Sequence, residues 1–380
     1  MMPPMLPVAA LPRQLPPPTT ARAFSCACGR PVFFRNSQCL ACHRALGYAA
    51  TRGTLLALEP LRGGRWREAG APVRGSARWR RCANLDTAAA CNWLLEPDEQ
   101  LAGHTLCRCC RLTRTVPDLA QPNAPLWWCR IEQAKRRLVS SLIGLRLPVQ
   151  AKTDGFADGL AFDLLLAPPE GPGVITGHAD GVITLDAAEA DDARREQRRS
   201  DLHEPYRTLL GHLRHECGHY YWQRLVQPTP WLEPCRALFG DDREDYAAAL
   251  QRHYEQGAPA DWGQRFVSAY ASAHPWEDWA ETWAHYLHLV DTLDTARSFG
   301  LDGERVELSY ERFGAELLAD TGDAQALDFL QLINSWMELT GVLNELSRAM
   351  GVADFYPFVL SAPAVRKLHL VHRVVRSAGG

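Results

Sequence analysis

Apolar residues return every three to four positions through IEQAKRRLVSSLIGL (131–145), with Pro148 just beyond, and this spacing predicts an amphipathic helix. LAFDLLLA (160–167) and GVITLDAAEA (181–190) read as strands, the second entered through an Ala-Asp-Gly turn. Residues 204–227 predict a long helix, and further helical periods cover 241–256, 276–293, 303–319, 325–349 and 362–375. The chain before residue 130 has a different texture. Residues 1–23 are proline-rich and predict a disordered leader. Short cysteine-bearing units follow at 24–48 and 82–114, separated by the Gly/Arg-rich GGRWREAGAPVRGSARWRR (63–81), which reads as an exposed connection. By composition, residues 116–129 form a linker.

The 380 residues suffice for more than one domain, and 46% hydrophobic with 22% charged residues is ordinary for a globular chain. No uncharged apolar run approaches the roughly 18–20 residues of a membrane helix. The prolines of the leader interrupt any secretory core, so a cytoplasmic location without membrane contact is expected. Ten of the twelve cysteines precede residue 130. In a chain of this size without an export signal, metal binding explains them better than a disulfide framework. Charge divides unevenly: residues 1–150 carry 21 Lys and Arg against 8 Asp and Glu, the remainder 20 against 36. The basic part suits nucleic acid or an acidic partner, or neutralisation across a domain interface.

The sharpest chemical signal is HLRHECGHYYW (212–222). His215-Glu216-Cys217-Gly218-His219 is an H-E-x-x-H pattern; residues four apart share a helix face, so both imidazoles can converge on one zinc ion. Glu216 lies roughly 100° round the helix, placed to take a proton from a metal-activated water and pass it to a leaving amine. A catalytic zinc needs a third protein ligand and an open position. Tyr220 to Leu225 offer no histidine, so the third donor must come later, and HPWEDWAETWAHYLH (274–288) is the place. Glu277 is the expected ligand, with Glu281 orienting a histidine ring; His285 and His288 are weaker candidates. Tyr270, seven residues before Glu277, is the candidate donor to a developing oxyanion.

Cys26-x-Cys28 and Cys39-x-x-Cys42 form two knuckles whose soft thiolates suit a closed, structural, tetrahedral zinc. Cys82, Cys91, Cys107 and Cys110 make a second set, for which Cys109 could compete; His43 and His104 are lesser substitutes. Cys129, Cys217 and Cys235 remain as free thiols. Trp66 and Trp79, among the arginines between the knuckles, could stack on bases if this part binds nucleic acid.

Taken together, FSCACGRPVFFRNSQCLACHRALGY, RCANLDTAAACNWLL, LCRCCRLTRTVPDL, HADGVITLDAAEAD, LLGHLRHECGHYYW and HPWEDWAETWAHYLHLVD resemble the bacterial zinc-binding metallopeptidases that carry an amino-terminal zinc ribbon. The resemblance spans roughly residues 24–375. It implies a zincin fold and peptidase activity. Glu277-Asp-Trp-Ala-Glu281 is also similar to a segment of anthrax lethal factor-like proteases. There the first Glu binds zinc and a Tyr seven residues upstream assists, which implies those roles for Glu277 and Tyr270.

The expected architecture is α+β: a double zinc ribbon (24–115) followed by a mainly helical zincin-like domain with a small sheet (130–375). The expected cofactors are one catalytic and two structural zinc ions, and the expected substrate is a protein or peptide. A non-catalytic scaffold whose ribbon binds nucleic acid or protein, and an isopeptide-cleaving deconjugase, are the competing readings.

Overall fold

The computed structural model describes residues 19–72, 74–167, 173–201, 206–301, 306, 308, 310–323 and 325–379. Most of the expected leader, residues 1–18, lies outside them. Its last residues do not behave as a leader. The backbone N–H groups of Thr19 and Thr20 donate to Asp294, and Arg22 is buried against Asp291 at 2.8 Å. Buried charge partners on a distant helix hold this segment in place, and proline composition gave no sign of them.

The cysteine-rich part is built from short hairpins. β1 (Phe24–Ser25) pairs antiparallel with β2 (Pro31–Val32), and the knuckle between them turns at Gly29, whose φ of +79° favours glycine. β3 (Ala45–Ala49), β4 (Thr54–Pro60) and β5 (Trp66–Glu68) form an antiparallel sheet buried on both faces. Leu46, Tyr48, Leu55 and Ala57 belong to the main core, while Ala49, Leu56 and Leu58 pack on Trp79 and Leu94. Trp79 is therefore interior and unavailable for base stacking. The stretch 63–81 is also not a plain exposed connection, because Trp66 and Trp79 bond to each other through both backbones at 2.8 Å. β6 (Arg80–Arg81) and β7 (Leu94–Leu95) make the next hairpin, followed by short helices α1 (Pro97–Leu101) and α2 (Arg108–Arg111).

β8 (Thr113–Thr115) leaves this region and pairs in parallel with β9 (Ala161–Leu165). β9 is parallel to β11 (Val182–Asp186), and β10 (Gly177–Ala179) closes the sheet as an antiparallel edge, giving the order β10-β11-β9-β8. α3 (Ala124–Gly144) begins earlier than its apolar period suggested, so the expected linker is helix from Ala124 onward. Its inward face (Trp127, Trp128, Ile131, Leu138, Val139 and Leu142) is buried in the same core as the cysteine-rich part.

The remainder is helical. α4 (Asp192–Asp201) precedes α5 (Leu209–Tyr221), which Thr208 caps by accepting the Gly211 N–H, and which runs into a π-type turn over Trp222–Val226. α6 (Leu232–Phe239) was not expected. α7 (Tyr246–Gln256) starts five residues later than its periodicity suggested, because the Asp245 side chain caps it through the Ala248 N–H. After α8 (Trp262–Arg265) comes α9 (Pro275–Ser298), with Pro275 in its first turn. α9 is the central strut of the helical layer and packs on α5, α10 (Ala326–Ala349) and α11 (Ala362–Ala378). The helix expected over 303–319 is absent among its described residues, apart from a 3-10 turn at Ala315–Leu317. The reason is Asn334 of α10. It bonds both the N–H and the carbonyl of Phe313 at 3.0 Å and so replaces helical partners. No described helix is long and apolar enough to cross a membrane.

Candidate metal centre

The histidine pair and its partner carboxylates come from two helices pressed together. Gly218 of α5 lies against Ala280 of α9 so closely that a Cβ on it would sit 2.8 Å from the Ala280 Cα. The indole N–H of Trp279 donates to the Gly218 carbonyl at 2.9 Å and ties the helices at that point. Within one turn of this contact, the polar groups meet. One donor atom each from His215, His219 and Glu277 lies within 4.8 Å of the others.

The bonding around these atoms divides them cleanly. His215 Nδ1 donates to Glu281 Oε1 at 2.6 Å, which turns Nε2 inward toward Glu277. Ser268 donates to the other oxygen of Glu281 at 2.6 Å, so that carboxylate is itself held from outside. Glu277 is only 1% exposed. Its Oε1 accepts from the Tyr246 hydroxyl at 2.6 Å, whereas Oε2 is buried without an aligned hydrogen bond, 3.0 Å from His215 Nε2. Buried carboxylate oxygens rarely go unpartnered. Two imidazoles and such an oxygen form a donor set that suits zinc with three protein ligands. His219 Nε2 lies 3.5 Å from Glu277 Oε1, and its ring is fixed by Trp276, whose ring centroid is 4.0 Å away.

Charge reinforces this geometry. Burial opposes ionisation of Glu277, but His219 and His215 outweigh it and hold the carboxyl well below the usual range. Burial likewise opposes the Glu281 charge, and the hydrogen bond from His215 brings its pKa down to about 2. His215, buried between two carboxylates, is pushed up by Glu277 and Glu281 against its desolvation. A metal ion must displace that proton, so metal uptake weakens as pH falls.

Glu216 is buried beside His215. Tyr270 sits in a 3-10 turn with its ring centroid 5.9 Å from that of His215. Burial, and then Glu277, keep its phenol protonated far above neutrality. His285 and His288 are placed elsewhere: His285 Nδ1 pairs with the Tyr356 hydroxyl at 2.6 Å, and His288 packs among Trp336, Phe355 and Tyr356. Beneath the inner face of α7, beside the amino end of α9, a cavity of about 400 Å³ is lined in part by Ala249, His253, Phe266 and His274.

Sequence reading missed Tyr246, Ser268 and His178. His178 on edge strand β10 has its ring 6.4 Å from that of His219, and its Nε2 accepts the Gly181 N–H. No spacing joins these residues to the H-E-x-x-H pattern. The Asp245 cap ahead of Tyr246 was the one local signal that could have located the start of α7.

Two further clusters lie in the cysteine-rich part. Cys26, Cys28, Cys39 and Cys42 bring their sulfurs together, with Cys26–Cys42 at 3.6 Å and Cys28–Cys39 at 3.8 Å. Backbone N–H groups of Cys42 and Ala41 lower the Cys39 thiol to about 6, which favours the thiolate a metal requires. Cys82, Cys91, Cys107 and Cys110 form the second cluster, fully interior; Cys109 is buried but outside it, and neither the exposed His43 nor the half-buried His104 joins a cluster.

A double cysteine cluster joined to a two-histidine, one-carboxylate centre defines a zinc-binding protein of the metallopeptidase kind. The comparisons agree. Residues 125–374 match the family described as "Putative zinc-binding metallo-peptidase", residues 23–121 match a zinc-ribbon domain, and the chain belongs to that metallopeptidase family. An uncharacterized protein of Mycobacterium bovis and one of Mycobacterium tuberculosis are each 42% identical to it over 356 residues, covering 93% of this chain and 95% of theirs. No solved structure matches the chain significantly.

Proposed function

We propose that the protein is a zinc-dependent peptidase whose catalytic ion is held by His215, His219 and Glu277, with structural zinc ions in the two cysteine clusters. The observation that carries this reading is the convergence of those three donors, with Glu281 orienting the His215 ring and Glu277 Oε2 turned toward His215 Nε2 at 3.0 Å. When bound there, zinc supplies Lewis acidity and lowers the pKa of a water to about 7. Glu216 takes the proton of the attacking water and delivers it to the departing amine. The Tyr270 hydroxyl, kept protonated by its surroundings, donates to the oxyanion that forms at the scissile carbonyl. An extended substrate would lie along edge strand β10, using its free backbone groups. On this reading the ribbon (24–115) is a fixed brace that offers a basic surface to a protein substrate or partner, and 130–375 is the catalytic domain.

The test is Glu216→Gln. Turnover of a protein substrate should drop by roughly 10²–10⁴-fold while the zinc content stays unchanged. Full activity in a clean preparation of that variant would end the mechanism.

A further inference from the structure

Tyr246 stands outside every motif in the chain. It is the first residue of α7, and α7 is a lightly seated helix: Ala249 is its one buried residue. The tyrosine is itself 37% exposed. Yet its hydroxyl reaches a carboxylate that is almost wholly interior, donating to Glu277 Oε1 at 2.6 Å. Two contacts put it there. The His274 ring accepts the Trp276 N–H on Nδ1 at 3.0 Å, so its Nε2 carries the proton and donates to the Glu244 carbonyl at 3.1 Å. This ties the lead-in of α7 to the amino end of α9. The Tyr246 ring then packs edge-on against His274 and Trp276, with centroids at 5.2 and 5.6 Å.

A carboxylate has two equivalent oxygens and can bind a metal through one or both. Here the two are made unequal, since Tyr246 donates to Oε1, from which His219 Nε2 is 3.5 Å away, whereas Oε2 has no aligned hydrogen bond and lies 3.0 Å from His215 Nε2. We propose that Tyr246 is a positioning residue for the metal centre: it holds Glu277 as a one-oxygen ligand and thereby preserves the open coordination position. The proposal rests on the metal-ligand reading above and is independent of whether the protein cleaves peptides. Outer partners that orient a ligand typically contribute 10–100-fold to metal affinity. Tyr246 is set to contribute on that scale because Oε1 has no other hydroxyl or amide donor among the described residues.

The experiment uses the full chain and zinc itself. Wild type, Tyr246→Phe and His215→Ala are titrated against a chromophoric chelator. Their folds are compared by near-UV circular dichroism. Phe keeps the ring packing on His274 and Trp276, so a purely structural role would leave the variant unchanged. The expected result is three zinc ions in wild type, two in His215→Ala, and three in Tyr246→Phe with the affinity of the third weakened roughly 10–100-fold. A third zinc bound by Tyr246→Phe as tightly as by wild type, or more tightly, overturns the proposal. Wild type holding only two zinc ions overturns it together with the metal-ligand assignment. Three zinc ions without proteolysis would count against the peptidase reading alone.

Discussion

The cysteine cluster at Cys82, Cys91, Cys107 and Cys110 and the cluster at His215, His219 and Glu277 both lie inside the molecule, but they are stabilised in opposite ways. Four thiolates around one divalent ion carry excess negative charge, and the fold answers with buried cations from α3. Lys135 is fully buried, 2.7 Å from Glu132; burial opposes its charge, and Glu132 with the Cys109 and Cys110 thiols outweighs that. Arg136 is held charged in the same way, chiefly by Cys91 and Cys109 against its desolvation. The histidine cluster instead has two imidazoles and one carboxylate, and hydrogen bonds orient two of its three donors: Glu281, held by Ser268, orients His215, and Tyr246 orients Glu277. The cysteine cluster is closed by its ligands and braced by charge. The histidine cluster is oriented by its neighbours and offers three protein donors. On the function proposed above, the first arrangement would serve folding and the second chemistry.

Exchanging a ligand in each cluster should separate these roles by the widest margin. Structural zinc sites contribute on the order of 10–16 kcal/mol to the folding of zinc-finger peptides. Cys91→Ser should therefore lose zinc, expose the cysteine-rich part to proteolysis and lower the melting temperature of the whole chain, since both parts share one core. His215→Ala should lose one zinc and melt within a few degrees of wild type. Equal destabilisation by the two changes would abolish the distinction drawn here.

Second in size is the joint between the regions. Arg22 from the cysteine-rich part, Arg137 of α3 and Arg214 of α5 all converge on Asp291 of α9 at 2.7–2.8 Å. Asp291→Asn leaves buried cations uncompensated and should cost about 3–5 kcal/mol in urea unfolding at neutral pH. Burial raises the pKa of this carboxyl, but Arg22, Arg137 and Arg214 outweigh it and hold the value below that of the unfolded chain, near 3.9. Its contribution is thus complete above about pH 5 and is lost as pH falls through the acid range toward the folded pKa. The gap between wild type and Asp291→Asn should narrow as unfolding is repeated at lower pH. A gap that widens would contradict the ion-pair account.

Much of this was legible in the sequence because it was local. The H-E-x-x-H spacing, the Glu277–Glu281 pair one turn apart and the Cys-x-x-Cys knuckles each place their groups through a single turn of backbone. What escaped reading was set by contacts far apart in the chain. Asn334 of α10 keeps Phe313 out of a helix, and Asp291 and Asp294 draw residues 19–22 onto α9. Trp79 looked like a stacking platform because it lies among arginines, but its burial depends on Leu56, Leu58 and Leu94. Tyr246 is separated from Glu277 by 31 positions, and no periodicity spans that gap.

A third and smaller effect concerns the close approach that lets the histidine cluster form. Gly218→Ala would place a methyl 2.8 Å from the Ala280 Cα, and relief requires the two helices to part. Overpacking of this kind costs about 1–3 kcal/mol. It should lower stability modestly and, because His219 is adjacent, weaken the third zinc as well. The cysteine sites, which do not depend on the α5–α9 spacing, should keep their metal. Loss of all three zinc ions would mean that the regions are less separable than the contrast requires.

The smallest expected effect is at Ser268, two hydrogen bonds from the His215 ring. Its hydroxyl donates to Glu281 Oε2 at 2.6 Å while its oxygen accepts the Ala271 N–H at 3.1 Å, so it joins the turn before α9 to the carboxylate that steers His215. Ser268→Ala removes one hydrogen bond to a charged group and leaves Glu281 free to turn about its side chain. Only part of that loss should reach the metal, because His215 Nδ1 still holds Oε1. The third zinc should weaken by several-fold, about 1 kcal/mol, with no change at the cysteine sites. Zinc competition measured beside Glu281→Ala sets the scale: the serine variant should fall between wild type and the glutamate variant. If Ser268→Ala matched Glu281→Ala, the hydroxyl would be the element that fixes the carboxylate, and orientation of this centre would begin one residue farther out than the imidazoles suggest.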